Sequence, residues 1–592
     1  MKPLNNDWSS ALKQSSICYD RQMKQQLEQA IAAIIDELYG LEVMLELSRT
    51  EPKFGDYATN VALQLSKQLG KPPRDIATEI VAKIASSLSE QVAEIQIAGP
   101  GFINLTLTDS TLVAGLLVDA AQVWTDKKVL VEYSDPNPFK PLHAGHLYTT
   151  LVGDAIARLL EASGANVTRL NYGGDVGLHV GRTMWAIIEL LGGEYPEKLA
   201  EILVAERPHW LGARYVEGTA AYEDNETAKA AIIELNARVY QIHNTNDHDS
   251  PLARMYWTGR QWSYDYFVEL YKQLEVTPFD RIIPESEIVP LGLKIVHEQT
   301  TKGIYENSDG AVVFKGEPFG LHTRVFINSK GLPTYETKDI GLVMTKWQDY
   351  HFDRSIVITA NEQQQYRAVM LKSLEQFEPE VAARSEHLTH GLVKLKGGVK
   401  MSSRKGNTAD ALEILEAAAV ANKAATGQDN SDTVLGAVKY AFLKVRVGGD
   451  IIYDPNESVS LEGNSGPYLQ YAFARACSIL TKAGQSVDQL KAVLTGSDVN
   501  ITKLTGLEPG ERLLVRKLAE YGEVITKASA DLTPHHVCTY LYELAQDFNR
   551  FYENNRVIGN DRQELRLQLV ENYARTLHAG LTILGIPTPE KM

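Results

Sequence analysis

Val129-Leu130-Val131-Glu132-Tyr133-Ser134 is a short apolar run that Asp135-Pro136-Asn137-Pro138 brings to a stop. From Leu142 onward, Leu147, Leu151, Ala155, Ile156, Leu159 and Leu160 recur on one helical face, and Gly164 suits the end of that helix. Val167–Leu170 reads as the next strand. Strand, loop, helix and strand in this order make one parallel βαβ unit, the opening of a doubly wound sheet.

The chain has 592 residues, too many for one ordinary core, so two to four domains are expected. Residues 20–38 read as an amphipathic helix. Phe54-Gly55-Asp56-Tyr57-Ala58-Thr59-Asn60 opens another helical stretch over 58–69, and Lys71-Pro72-Pro73 breaks it. Residues 76–87 are helical again, and Ile95–Leu107 alternates like strands around the turn Gly99-Pro100-Gly101. We therefore expect a multidomain α/β protein: an α+β domain over 1–120, then a Rossmann-type, doubly wound parallel-sheet domain over 121–455. A polar helical stretch at 186–280 reads as an insertion in it, and Ile356–Thr359 and Gly391–Leu395 as further strands. From 456 to 592 the pattern is almost purely helical, a third, all-α domain.

The net charge of −16 counts against a nucleic-acid binder, but binding follows where basic groups cluster rather than their sum. There is no apolar run of about 18 residues, hence no expected membrane helix. The start, Met1-Lys2-Pro3-Leu4, carries no apolar signal segment, and Cys18, Cys477 and Cys538 lie too far apart for a disulfide framework or a zinc motif. A cytoplasmic protein is expected.

Two motifs carry chemistry. His143-Ala144-Gly145-His146 stands where the first strand turns into its helix. Helix starts offer free N–H groups and attract phosphate, Gly145 lets a ligand approach the backbone, and both imidazoles can donate to a phosphoryl group in transit. A pair of surface histidines is the plain alternative. Lys400-Met401-Ser402-Ser403-Arg404-Lys405-Gly406-Asn407 suits a mobile loop closing on a triphosphate, although a solvated basic loop is commoner. The two in this order, flanking one α/β domain, are far more informative than either alone.

His143–His146 resembles the HIGH signature of class I aminoacyl-tRNA synthetases, and Lys400–Arg404 their KMSKS signature. The surrounding residues resemble the arginyl-tRNA synthetase family in particular. Ser134-Asp135-Pro136-Asn137 leading to Lys140-Pro141-Leu142-His143 matches its first motif, and Asn171-Tyr172-Gly173-Gly174-Asp175-Val176-Gly177 its N-Y-x-G-D-W-G segment, with Val176 in place of tryptophan. Tyr335-Glu336-Thr337-Lys338-Asp339 is similar to Y-x-T-[RK]-D, and Glu462–Tyr471 to E-G-N-T-G-P-Y-L-Q-Y. The end, Leu584-Gly585-Ile586 through Pro589-Glu590-Lys591-Met592, matches as well. The resemblance covers nearly the whole chain.

The resemblance implies ATP-dependent activation of L-arginine to arginyl-adenylate and its transfer to the 3′ end of tRNA(Arg), with Mg²⁺ arriving on ATP and no tightly bound cofactor. His143, Gly145, His146, Lys400, Met401, Ser402 and Ser403 would bind ATP, with His143, His146, Lys140, Lys400 and Lys405 as the catalytic set. Asn137 would hold the substrate backbone, while Tyr335, Asp339, Gln363 and Glu285 surround its side chain, a rigid five-donor fork that demands anions and planar acceptors. Phe102 and Asn104 would touch the tRNA elbow, and Tyr468, Tyr471, Arg475 and Met592 the anticodon. Core packing for Tyr335 and the helical tyrosines, and a surface ion pair of Asp339 with Lys338 or Arg324, are the plain alternatives.

Ser403 stands where the family signature has its second lysine, so another cation must serve the leaving pyrophosphate; Lys140 is the expected substitute, with Lys405 as the alternative. The segment Asn361–Tyr366 lacks the histidine often found after Glu-Gln. Another class I synthetase, a small nucleotidyltransferase and an inactive RNA-binding relative are the competing functions, and Tyr335–Asp339, the chain length and the intact motifs argue against each in turn. A monomer is expected.

Overall fold

The computed structural model describes residues 23–117, 122–396, 410–495 and 501–592. Helices Met23–Tyr39, Val61–Leu69 and Pro73–Ser87 pack on an antiparallel sheet ordered Ser48–Arg49, Tyr57–Thr59, Phe102–Leu107, Val92–Ala98. The expected helix over 58–69 is shorter at its start. Tyr57 and Thr59 are buried and pair with Leu105 and Ile103, and the Thr59 hydroxyl accepts the Val61 N–H at 3.2 Å as the helix begins. Alternate burial of these two residues favours an extended segment there.

The central sheet has five strands: β1 (Lys128–Glu132), β2 (Asn166–Gly173), β3 (Arg281–Pro284), β4 (Arg354–Ala360) and β5 (Ser385–His390). All neighbours are parallel, in the order β5-β4-β1-β2-β3. The order reverses between β1 and β4, and a sheet of this kind binds ligands at the carboxyl ends beside that switch point. Helix α1 (Ala144–Ala162) joins β1 to β2, and Gly164, with φ +93°, follows it in the left-handed conformation. Helices α2 (Glu285–Thr301), α3 (Tyr335–Tyr350) and α4 (Gln364–Glu375) start at or near the same carboxyl edge, after β3, after a small antiparallel sheet over 306–327, and after β4. Neither β3, β5 nor that small sheet was legible in the sequence. Val393–Leu395, expected as a strand of the central sheet, pairs instead with Ile451–Tyr453 in a separate two-stranded sheet.

The stretch read as an insertion at 186–280 is covered by the helices Leu178–Leu191, Arg207–Asp224, Glu226–Thr245 and Pro251–Gln273. Its apolar core includes Phe139 and Val176 from the site loops, packed with Val180, Met184 and Trp262. The described residues beyond Pro455 are helical, and no described helix is long and apolar enough to cross a membrane.

The first and last domains are clamped by buried charge. Asp56, 1 % exposed, accepts Arg512 Nη2 at 2.8 Å, Arg516 Nε at 3.0 Å and the Leu107 N–H at 2.8 Å. Arg49 and the Tyr57 hydroxyl both reach Glu523. Breaking a buried ion pair strands the remaining charges, so Asp56→Ala is expected to destabilise the junction by about 3–5 kcal/mol. In calorimetry the first domain then unfolds at lower temperature than in the parent; an unchanged trace contradicts the clamp.

Candidate active site

The loop from β1 to α1 carries three non-glycine residues in the left-handed region: Ser134 (φ +75°), Asp135 (φ +48°) and Phe139 (φ +64°). Such backbone is costly and persists where surroundings over-determine it. Those surroundings are visible. Ser134 Oγ meets the Tyr271 hydroxyl at 2.7 Å, Asp135 Oδ1 accepts the Tyr172 N–H at 2.8 Å, and Phe139 is fully buried with its N–H on Ser263 Oγ at 3.0 Å. Insertion and sheet together hold the loop that places Asn137, Lys140, His143 and His146.

His143 is the N-cap of α1 and its Nδ1 accepts the Gly145 N–H at 3.1 Å; His146 Nδ1 accepts the His143 N–H at 3.4 Å. With both Nδ1 atoms accepting, each neutral ring carries its proton on Nε2. The rings stack with centroids 3.9 Å apart. Burial, then the charge of Lys140, pushes His143 down to about 4, and burial followed by His143 and Lys140 pushes His146 well below the ordinary range. At neutral pH both are uncharged Nε2–H donors. A Cβ on Gly145 would lie 2.9 Å from the His143 ring, so the placement of that ring itself requires glycine here. Lys140 stands 5.3 Å from the Tyr215 ring of the insertion.

Lys400, Met401, Ser402, Ser403 and Lys405 lie outside the described residues. The flank that follows them is fixed on the first motif: Asp410 forms a bridge with His143, and Ala411 N–H donates to Leu142 O at 2.9 Å.

Three of the expected amino-acid residues, Asn137, Glu285 and Asp339, lie near one another. Asn137 Oδ1 accepts the Gly174 N–H at 3.1 Å, and a Cβ on Gly174 would fall 2.5 Å from that oxygen and 3.3 Å from Glu285 Oε2. Only glycine fits between them. Glu285, the first residue of α2, is buried and takes Lys338 Nζ at 2.5 Å. Burial pushes its carboxyl up to about 7, against the pull of Lys338. Asp339 is buried on α3, not part of a surface ion pair; its cation is Arg367, 3.5 Å away, while Arg324 pairs with Glu336. Burial raises Asp339, opposed by Arg367 and reinforced by Glu132. Tyr335 is 65 % exposed rather than a core aromatic, and Gln363 accepts the Tyr366 hydroxyl at 3.2 Å.

A layer of charge that the sequence does not reveal lies beneath these residues. Glu132 and Lys346 form a fully buried pair at 2.9 Å. Burial and the Glu132 charge push Asp135 well above the usual carboxylate range. Glu132 Oε1, Asp339 Oδ2 and the Tyr172 hydroxyl are buried without a hydrogen-bond partner among the described residues. Orphaned acceptors of this kind suit a ligand rich in donors. The one signal in the sequence was Glu132 itself, a charge ending an apolar strand. Asp175 has a supporting role: it accepts the Ser286 N–H at 2.9 Å and Arg260 Nε at 2.9 Å, tying α2 to the insertion.

In the last domain Tyr471 and Met592 are exposed, while Tyr468 is half-buried and accepts Asn549 Nδ2 at 2.9 Å. Arg475 also meets Asn549, at 3.2 Å, and lies over the Tyr552 ring. In the first domain Phe102 is exposed but Asn104 is buried, its backbone between Ala58 and Gln96.

Comparison with known proteins fits this geometry. Residues 108–454 match the family model of the catalytic domain of class I tRNA synthetases (R), 469–592 the DALR anticodon binding domain and 21–107 the arginyl tRNA synthetase N terminal domain. Relatives named arginine–tRNA ligase include one from Synechococcus elongatus, 32 % identical over 96 % of this chain and 99 % of its own, and one from Phocaeicola vulgatus, 30 % identical over 96 % and 100 %. Among solved structures, Thermus thermophilus arginyl-tRNA synthetase superposes with a TM-score of 0.77 at 27 % identity, covering 96 % of this chain and all of the other. The Plasmodium falciparum arginyl-tRNA synthetase, at 21 % identity and a TM-score of 0.78, shares the fold. The chain belongs to the arginyl-tRNA synthetase family of class I aminoacyl-tRNA synthetases.

Proposed function

We propose that the chain activates L-arginine with ATP and transfers it to tRNA(Arg), using the residues gathered at the switch point. A carboxylate oxygen of arginine attacks the α-phosphorus of ATP, and the bond to the bridging oxygen of the β-phosphate breaks, releasing pyrophosphate. The 3′-terminal adenosine hydroxyl of the tRNA then attacks the arginyl carbonyl, and AMP departs. Position and charge stabilisation carry such phosphoryl chemistry, with Mg²⁺ arriving on the ATP. The observation that carries the reading is the pair of neutral imidazoles with both Nδ1 atoms occupied, on the loop and helix that follow Asn137, together with the buried acids Glu285 and Asp339. His143 and His146 donate from Nε2 to the phosphates. Asn137 orients the substrate backbone, and Glu285, Asp339, Tyr335 and Gln363 receive the side chain. Lys400 serves the triphosphate.

The three-part division at 1–120, 121–455 and 456–592 belongs to the same proposal. Phe102 and Asn104 serve the tRNA elbow, and Tyr468, Tyr471, Arg475 and Met592 the anticodon, where exposed aromatic faces stack bases. The protein acts as a cytoplasmic monomer.

Lys140 replaces the cation missing at Ser403. It is close enough to both histidines for its charge to lower their basicity. Arginine-dependent exchange of pyrophosphate into ATP tests this. Exchange is expected to be negligible without tRNA, and Lys140→Ala to reduce it more than Lys405→Ala. Strong exchange without tRNA, or normal exchange in Lys140→Ala, contradicts the assignment.

A further inference from the structure

Glu285 is fixed through one oxygen and open at the other. Oε1 takes Lys338 Nζ at 2.5 Å, with both side chains almost fully buried, whereas Oε2 lies over Gly174 beside Asn137 Oδ1. Lys338 reaches this point from α3, one residue before Asp339, and its ammonium stands 5.2 Å from the Tyr335 ring. Tyr240 of the insertion helix Glu226–Thr245 also interacts with it electrostatically. One lysine thus touches an acid, an aromatic and the insertion around one pocket. A carboxyl buried to this degree without a cation gives up its charge by taking a proton.

We infer that Lys338 is a positioning residue for arginine selection: it keeps Glu285 ionised and turned so that Oε2 meets the substrate guanidinium. This rests on the reading of Glu285 as an arginine-binding acid. It assigns a task to the lysine of the Tyr335–Asp339 segment, which otherwise serves as a spacer between two pocket residues.

The charged and titratable groups around Glu285 are Lys338, Asp339 and Tyr335 on α3, Asp175 after β2, Tyr172 on β2 and Tyr240 from the insertion. Burial holds the Glu285 carboxyl up at about 7, with Lys338 pulling down and Asp175 and Asp339 pushing up. Loss of Lys338 therefore moves its ionisation to higher pH. Because guanidinium binds the carboxylate form, the arginine KM falls as pH rises through that ionisation, and in the variant this fall comes later.

The test is tRNA charging from pH 6.5 to 9 with Lys338→Met, Lys338→Arg and Glu285→Gln. Lys338→Met is expected to raise the arginine KM about 10-fold or more at pH 7, with the gap shrinking to about 3-fold at pH 9. The ATP KM stays near that of the parent, and Lys338→Arg remains within about 3-fold of the parent because a cation is retained. Should Lys338→Met misfold, Lys338→Gln carries the same expectation. Glu285→Gln raises the arginine KM across the range if the pocket reading holds, and an unchanged KM there removes that reading and this inference with it. If Glu285→Gln raises the KM while Lys338→Met matches the parent, or raises it equally at every pH, the role of Lys338 alone is overturned.

Discussion

Alanine at His143 or His146 is expected to slow arginyl-adenylate formation about 10²–10³-fold, the usual cost of losing one donor to a transition-state oxyanion. The expectation follows from the tautomers. Each Nδ1 is occupied by a backbone N–H, so each ring presents Nε2–H, and burial keeps both rings neutral at pH 7. A neutral donor held rigidly at a helix start needs no reorganisation as charge develops on the phosphoryl oxygens. The arginine KM is expected to change little, because the acids proposed to receive the side chain lie on α2 and α3. Alanine also removes an acceptor from the start of α1, worth about 1 kcal/mol of stability, so rates are to be compared well below the unfolding temperature. Single-turnover formation of adenylate, in the presence of tRNA, reads the effect directly. Parent rates in both variants contradict the assignment.

Asp339→Asn is expected to raise the arginine KM about 10–100-fold, with a smaller effect on the ATP KM, as a charge-assisted bond becomes a neutral one. Asp339 is 3 % exposed and its Oδ2 has no hydrogen-bond partner among the described residues. That oxygen stands 3.5 Å from Arg367 Nη2, and we propose it as the acceptor for a substrate guanidinium N–H. The substitution also leaves Arg367 facing a neutral amide, and like charge then opposes the incoming substrate. A fall in ATP affinity with arginine affinity preserved places Asp339 outside the amino-acid pocket.

How far the sequence disclosed these features depends on the range of the interactions behind them. β1, α1 and β2 were legible because apolar periodicity and the Asp135–Pro138 break are local signals. β3 and β5 were not: Arg281–Pro284 is a short strand at one edge, and Ser385–His390 at the other carries Ser, Glu, Thr and two His residues, so neither reads as a buried apolar run. Ala58 and Thr59 looked helical because their pairing partners, Asn104 and Ile103, lie far along the chain. Of the residues named by motif resemblance, Asn137 and Glu285 meet at Gly174, with Asp339 near Glu285. The charge beneath them did not show, since a pair such as Glu132 with Lys346 has no signature until the fold brings its halves together. Gly145 was legible as a position needing room, but not that the placement of the His143 ring requires it.

The most direct test of the central claim is charging of total tRNA by the purified chain with ATP and each of the twenty amino acids in turn. Ester-linked product is expected with arginine alone, because an uncharged side chain offers the buried acids Glu285 and Asp339 none of the charge-assisted donors of a guanidinium. Charging with a different amino acid, or no charging with arginine in the presence of tRNA(Arg), contradicts it.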